Sequence, residues 1–229
     1  MSSSEQANVL KRGGSFPAAL IFDMDGLMLD TERPSIALWL EAAREYGWTI
    51  DEAVPLATIG LDEAATRATV MEACGPVFPY EEVRSRLIEL YERHVEEKGI
   101  IKRPGLLKLL DHARSAGLPL AVATSTARIE AEERLERAGI REYFSALACG
   151  DEVGRGKPAP DIFLLASERL NIAPECCLGF EDSAPGLKGL AAAGIKSIFI
   201  KDMLEAPTEV LATVWRRYSD LSEAIAALQ

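Results

Sequence analysis

At 229 residues and 24.9 kDa, with 48% hydrophobic and 27% charged residues, the chain has the composition of a soluble globular protein holding one core, or a core plus a smaller insertion. Its formal net charge of -11 and pI near 4.8 exclude a binder of nucleic-acid backbone, since nothing basic is in surplus to replace counterions, though a small anionic substrate needs only a locally positive pocket. The 4 cysteines, Cys74, Cys149, Cys176 and Cys177, form no C-x-x-C pair and the adjacent two would face opposite sides of a strand, so reduced thiols in the cytoplasm are expected.

Residues 1–16 read as a polar, mobile tail, because Met1-Ser2-Ser3-Ser4-Glu5-Gln6 lacks the apolar centre of a signal peptide. No run of about 18 apolar residues follows, so no membrane span is expected. Ala18 to Phe22 is an apolar strand that stops abruptly at Asp23-Met24-Asp25-Gly26. Carboxylates at the C-terminal end of a parallel strand stand in the ligand crevice of an α/β sheet. Two so close together need a cation, a shared proton or water between them. A calcium loop fails on spacing, since counting from Asp23 the glycine is fourth and Pro34 is twelfth.

From Thr31 to about Ile100 there is no strand pattern. Helices are predicted from Pro34 to a stop at Gly47, over 61–74 and over 80–98, the last with a solvated Glu/Arg face. A stretch of about seventy residues is too long for one βα crossover. It reads as a helical domain, 31–100, inserted over the crevice as a lid.

From Pro104 strands and helices alternate. A helix runs to Gly117, a strand covers 118–123, and a helix follows to Ala138. Next come a strand at 146–149, a helix after Pro160, a strand at 176–180, a helix over 183–193 and a strand at 196–200. Short helices are predicted to close the chain, the last being Leu221 to Leu228. Repeated βα units predict an α/β fold, with a Rossmann-like parallel sheet core built from 17–30 and 101–229.

The strand ends carry complementary chemistry. Thr124-Ser125-Thr126 sits ahead of a helix N-terminus, where backbone N–H groups favour an anion. Lys157 follows a glycine-rich approach that is no P-loop, because Asp151 and Pro158 break that pattern. Glu181-Asp182-Ser183 supplies two more acids and a helix cap. His94 and His112 sit among charged neighbours on helices, so histidine metal sites and a serine–histidine–acid triad are poor candidates. Carboxylates without histidine suit Mg²⁺. Thr124 and Lys157 can neutralise phosphate oxygens, which leaves Asp23 as a nucleophile.

Taken together, Asp23-Met24-Asp25-Gly26, Thr124, Lys157 and Glu181-Asp182 resemble the four motifs of haloacid dehalogenase superfamily phosphatases of subfamily I, with a helical C1 cap after the first motif. The resemblance implies that Asp23 attacks phosphorus to form a phospho-aspartate, while Asp25 protonates the leaving alcohol and then deprotonates water. It also implies Mg²⁺ on the Asp23 carboxylate, the Asp25 main-chain carbonyl and Asp182, with Glu181 nearby or acting through water. Thr124, Ser125 and Lys157 would bind the phosphoryl group.

Within the superfamily the chain is similar to sugar-phosphate phosphatases, pseudouridine-monophosphate phosphatases and β-phosphoglucomutases. The mutases carry a histidine where this chain has Ser35, and an arginine where it has Glu63, with Arg67 one turn later. Both departures favour a phosphatase for a small phosphomonoester, a sugar or polyol phosphate, over a mutase. Glu32, Ser35, the Gly60–Glu63 loop and Arg67 or Arg93 are the expected cap contacts, with Trp39 and Trp48 in the cap core. A response-regulator receiver also joins acids, Mg²⁺, a hydroxyl and a lysine, but it has no place for the insertion or for Asp25. A monomer with no nucleic-acid or membrane partner is expected.

Overall fold

The structure is a computed structural model that describes residues 16–228, so all but the last residue of the expected tail lies outside the described residues. Six parallel strands form one sheet in the order β3-β2-β1-β4-β5-β6. They are β1 (Ala19–Phe22), β2 (Leu120–Ala123), β3 (Ala146–Ala148), β4 (Cys177–Glu181), β5 (Lys196–Ile200) and β6 (Arg216–Tyr218). The apolar run of β1 makes it a central strand, buried on both faces. Leu20 and Phe22 join Leu109, Val122 and Leu135 in one core, while Ala19 and Ile21 join Ala121 and Phe163 on the opposite face. The two-residue period of a strand thus feeds both helical layers.

Register fixes the site. Phe22 pairs with Val122 on one side and Phe180 on the other, so the residues after β1 and β2 and at the end of β4 emerge side by side. The core helices are α5 (Leu106–Ser115), α6 (Arg128–Arg137), α7 (Asp161–Leu170), α8 (Ala184–Ala192) and a short α9 (Thr208–Leu211), preceded in the chain by four helices of the insertion. Those four are α1 (Glu32–Glu45), α2 (Ala53–Leu56), α3 (Glu63–Cys74) and α4 (Tyr80–Lys98). They bury their own cluster, including Trp39, Val70, Phe78, Tyr80, Val83 and Leu87, with Trp48 packed against it. An insertion with a core of its own does not depend on the sheet for its packing.

The chain passes into and out of the insertion through paired linkers. Asp30 N–H donates to Ile101 O at 2.8 Å, and Arg103 N–H donates to Met28 O at 2.8 Å. The buried carboxylate of Asp202, just after β5, meets Arg33 at 2.6 Å and Arg103 at 2.7 Å, tying both linkers to the sheet.

Three local expectations differ from the structure. Arg216–Tyr218 forms an edge strand where none was predicted, because an edge strand has one neighbour and needs no apolar pattern. The last short helix is a 3₁₀ helix over Glu223–Ala227, shorter than the expected Leu221 to Leu228, and Asp220 holds its start by accepting from Ser222 N–H at 2.6 Å. The four-residue α2 was likewise not anticipated.

Candidate active site

Asp23 leaves the end of β1 and stays buried, its N–H donating to Phe180 O at 3.0 Å. Lys157 comes from the loop between β3 and α7. Its Nζ donates to Asp23 Oδ1 and, at 2.6 Å, to Glu181 Oε1, and the Phe163 ring lies 5.1 Å from it. Burial works against the ammonium, yet the flanking charges of Asp23 and Glu181 outweigh it and hold the Lys157 pKa above its ordinary value. The Asp23 carboxyl is raised well above the usual range by burial, with Lys157 opposing and Glu181 and Asp25 adding to the rise. Asp182 is raised likewise, by burial and then by Glu181 and Asp23.

Glu181 is the internal post of this cluster. Its Oε2 accepts from Asp182 N–H, Ser183 N–H and Ser183 Oγ, each at 2.9 Å. Ser183 Oγ in turn accepts from Gly186 N–H at 3.1 Å, capping α8. Gly186 has to be glycine, because a Cβ there would overlap the Glu181 carboxylate.

Asp25 points the other way. Its Oδ1 accepts from Thr31 Oγ1 at 2.8 Å and Arg134 Nη1 at 2.7 Å. Its Oδ2 accepts from Thr126 Oγ1 at 2.7 Å and Thr124 Oγ1 at 3.3 Å. Burial favours the protonated acid, but the Arg134 charge and the Thr126 and Thr31 hydroxyls outweigh it and hold the pKa below its usual value.

The residues fit a hard cation. Asp23, Glu181 and Asp182 each offer a carboxylate oxygen within 4.8 Å of the others. Both Glu181 oxygens are already engaged, whereas Asp182 Oδ1 is buried with no hydrogen-bond partner. Gly26, at φ +82°, lets the turn after Asp25 lie against Asp182, where a Cβ would overlap its carboxylate.

Above these groups a cavity of about 610 Å³ lies between the sheet edge and the insertion. Asp23, Asp25, Thr124 and Ser125 line it from the core, and Glu32, Ser35, Glu63 and Tyr91 from the insertion. The haloacid dehalogenase-like hydrolase profile matches residues 17–194. The chain belongs to the haloacid dehalogenase-like hydrolases.

This hydrolase is similar to the Phosphorylated carbohydrates phosphatase of Thermotoga maritima, 37% identical over 181 residues that span 79% of this chain and 83% of that protein. It is also similar to the Fructose-1-phosphate phosphatase YqaB of Escherichia coli, 32% identical over 80% of this chain and 96% of that one. The crystal structure of CbbY from Rhodobacter sphaeroides in complex with phosphate aligns at a TM-score of 0.77 and 29% identity, covering 90% of this chain and 96% of that one.

Most site residues named from the sequence gather around the cavity of the hydrolase. Ser125 lines it with its Oγ buried and unpartnered. Glu32 lines it too, and burial followed by the Asp25 charge pushes its carboxyl up to about 8. Glu63 reaches the lining, but its carboxylate is held by Tyr80 Oη at 2.7 Å and Arg84 Nε at 3.0 Å. Arg67 is not brought there: it pairs with Glu81 at 3.0 Å on the outside of the insertion, more than half exposed. Arg93 is not among the lining residues either.

Sequence reasoning missed Arg134 and the bond from Thr126 to Asp25. Thr126 stood in the hydroxyl run ahead of a helix, with no role of its own. Arg134 stood in a helix of many charges, and its one signal is position: it lies three residues after Ala131 and beside Leu135, the two buried residues of α6. The approach to Lys157 is fixed by a further clamp. Glu152 accepts from Arg128 Nε at 2.8 Å, Arg169 Nη1 at 2.7 Å and Cys149 N–H at 3.0 Å. The two arginines bring its pKa down to about 2. Among the described residues no helix is long and apolar enough to cross a membrane.

Proposed function

We propose that this chain is a Mg²⁺-dependent phosphatase of small phosphomonoesters, acting through a phospho-aspartate on Asp23. The observation that carries the reading is the buried Asp23 against Lys157, with Asp25 and Thr124 opening onto the same cavity. An Asp23 oxygen attacks phosphorus, the bond from phosphorus to the ester oxygen breaks, and Asp25, ionised at rest and protonated by the incoming phosphate monoanion, passes that proton to the departing oxygen. Water then attacks the phosphorus of the phospho-aspartate, passes a proton to Asp25, and the bond to Asp23 breaks to release phosphate. Lys157, Thr124 and Ser125 hold the phosphoryl oxygens throughout. The Asp23 and Asp182 carboxylates and the Asp25 main-chain carbonyl would hold Mg²⁺. When bound, the ion supplies the positive charge that keeps Asp23 ionised and offsets the phosphoryl charge.

The cavity also favours a class of substrate. Its lining carries nine Asp or Glu side chains against three Arg. Each arginine already faces a carboxylate: Arg84 with Glu63, Arg134 with Asp25, Arg137 with Glu133. A second phosphate or a carboxylate on the substrate would meet net negative charge there, whereas hydroxyl groups can donate to the acids. A sugar or polyol monophosphate suits this lining better than the bisphosphate a mutase must handle. The names of the two phosphatase relatives agree with that choice. We read the protein as a cytoplasmic monomer.

The test is phosphate release from hexose, polyol, nucleotide and glycolate phosphates and from sugar bisphosphates, each with Mg²⁺ and with EDTA, alongside β-glucose 1-phosphate with a bisphosphate activator and a glucose 6-phosphate readout. Mg²⁺-dependent release from a sugar or polyol phosphate is expected. Isomerisation without phosphate release would make the protein a mutase, and preference for bisphosphates would overturn the substrate class.

A further inference from the structure

We propose that Arg134 is a positioning residue for Asp25 and that it couples the seating of the helical insertion to the proton-transfer step. The inference deepens the phosphatase reading and rests on it. Arg134 belongs to the core, on α6, and its side chain is 23% exposed. Its guanidinium touches three groups at once. Nη1 donates to Asp25 Oδ1 at 2.7 Å, Nη2 lies 3.5 Å from Glu130 on the preceding turn, and Cζ lies 5.2 Å from the centroid of the Tyr91 ring. Tyr91 is carried by α4 of the insertion.

The two oxygens of Asp25 are thereby divided. Oδ1 takes the charged partner, Arg134, together with Thr31 just ahead of α1, while Oδ2 accepts from neutral hydroxyls only. Oδ2 faces Thr126 and Thr124, the side on which the phosphoryl group and the departing oxygen belong. A guanidinium is planar and directional, so its seat on the tyrosine face fixes where its N–H points. Moving α4 away from the sheet removes that seat and leaves the guanidinium held by Asp25 and Glu130 alone, so the direction it imposes on the Asp25 carboxylate is no longer fixed. With the insertion seated, the working oxygen is aimed.

A leaving group that needs no proton separates this role from a structural one. The alkyl phosphate turned over fastest in the panel above departs as an alkoxide unless protonated, whereas p-nitrophenyl phosphate releases a stable phenolate. The parameter kcat/KM covers binding, attack and departure but not the later attack of water, so it reads Asp25 as acid and not as base, and the ratio of the two esters isolates that part. In Arg134→Met, kcat/KM should fall roughly 100-fold for the alkyl ester and less than about fivefold for the aryl ester, the size of a lost general acid. Arg134→Lys, which keeps the charge but not the planar fork, should recover part of the alkyl activity. Tyr91→Leu should shift the same ratio in the same direction, by roughly tenfold, and it carries the test if Arg134→Met does not fold. Equal losses on both esters, or unchanged or increased activity on the alkyl ester, would overturn the proposal. Wild-type protein that hydrolyses neither ester would overturn the phosphatase reading instead.

Discussion

Lys157 Nζ and Glu181 Oε1 meet at 2.6 Å with their side chains 2% and 0% exposed. A lysine so placed keeps its charge only because carboxylates on two different strands enclose it, and so the pair ties the loop after β3 to the end of β4. Removing one partner of a buried pair costs about 3–5 kcal/mol when the other is left unpaired; Lys157 would keep Asp23, so the loss should fall toward the lower end. Glu181→Ala would also take the acceptor from Ser183 and from two backbone N–H groups. Urea unfolding should show a loss of that order together with loss of turnover. An unchanged midpoint would mean that the cluster contributes nothing to the fold.

Asp23→Asn should abolish phosphate release and keep the fold. The amide is no nucleophile, while Lys157 retains Glu181 and the crowd of acids around Asp182 loses a member. The melting temperature should stay within about 2–4 °C, which corresponds to roughly 1 kcal/mol for a chain of this size. Turnover surviving in this variant would end the assignment of Asp23.

Metal binding should be visible without any substrate. A ligand that binds only the folded state at 100 times its Kd stabilises it by about 2.7 kcal/mol. Mg²⁺ should therefore raise the melting temperature of the wild type and EDTA should reverse the rise. Asp182→Asn should lose most of it, since Asp182 Oδ1 is the buried oxygen left without a hydrogen-bond partner. A full Mg²⁺ shift in that variant would move the metal seat elsewhere.

Acid should weaken the Glu152 clamp in a defined window. Arg128 and Arg169 hold this carboxyl at about 2 against an ordinary value of 4.5. A depressed carboxylate gives stability that is complete above its unfolded value and disappears as pH falls through its folded one. The wild type should thus lose stability between pH 4.5 and 2, and Glu152→Gln, weaker at neutral pH, should decline less over that span. Parallel urea midpoints for the two proteins at pH 7 and pH 3 would show that the clamp carries no such linkage.

How much of this was legible beforehand depended on the kind of signal. Strands such as Ala19–Phe22 and Cys177–Glu181 are continuous apolar runs with polar ends, so both the sheet and its chemical rim could be read from residue order. The long helices Tyr80–Lys98 and Glu63–Cys74 likewise carried their own stop signals in Gly99 and Gly75. Arg216–Tyr218 escaped because backbone pairing to one neighbour leaves no mark on side-chain pattern. Arg67 and Arg134 show the limit for the site. Both are arginines on charged helices, and only the packing of whole helices turns one outward to Glu81 and the other inward to Asp25.

The paired linkers have a consequence for how such a protein can change. Because Asp30 is bonded to Ile101 and Arg103 to Met28, the two cut ends of the core would touch if everything between them were removed. Closing a flexible loop costs only about 0.6 kcal/mol more for each doubling of its length. A longer, shorter or unrelated segment could therefore occupy the same gap with little penalty to the sheet. The strand ends that hold the candidate site would stay in place whatever filled the gap, so the insertion is a replaceable cassette.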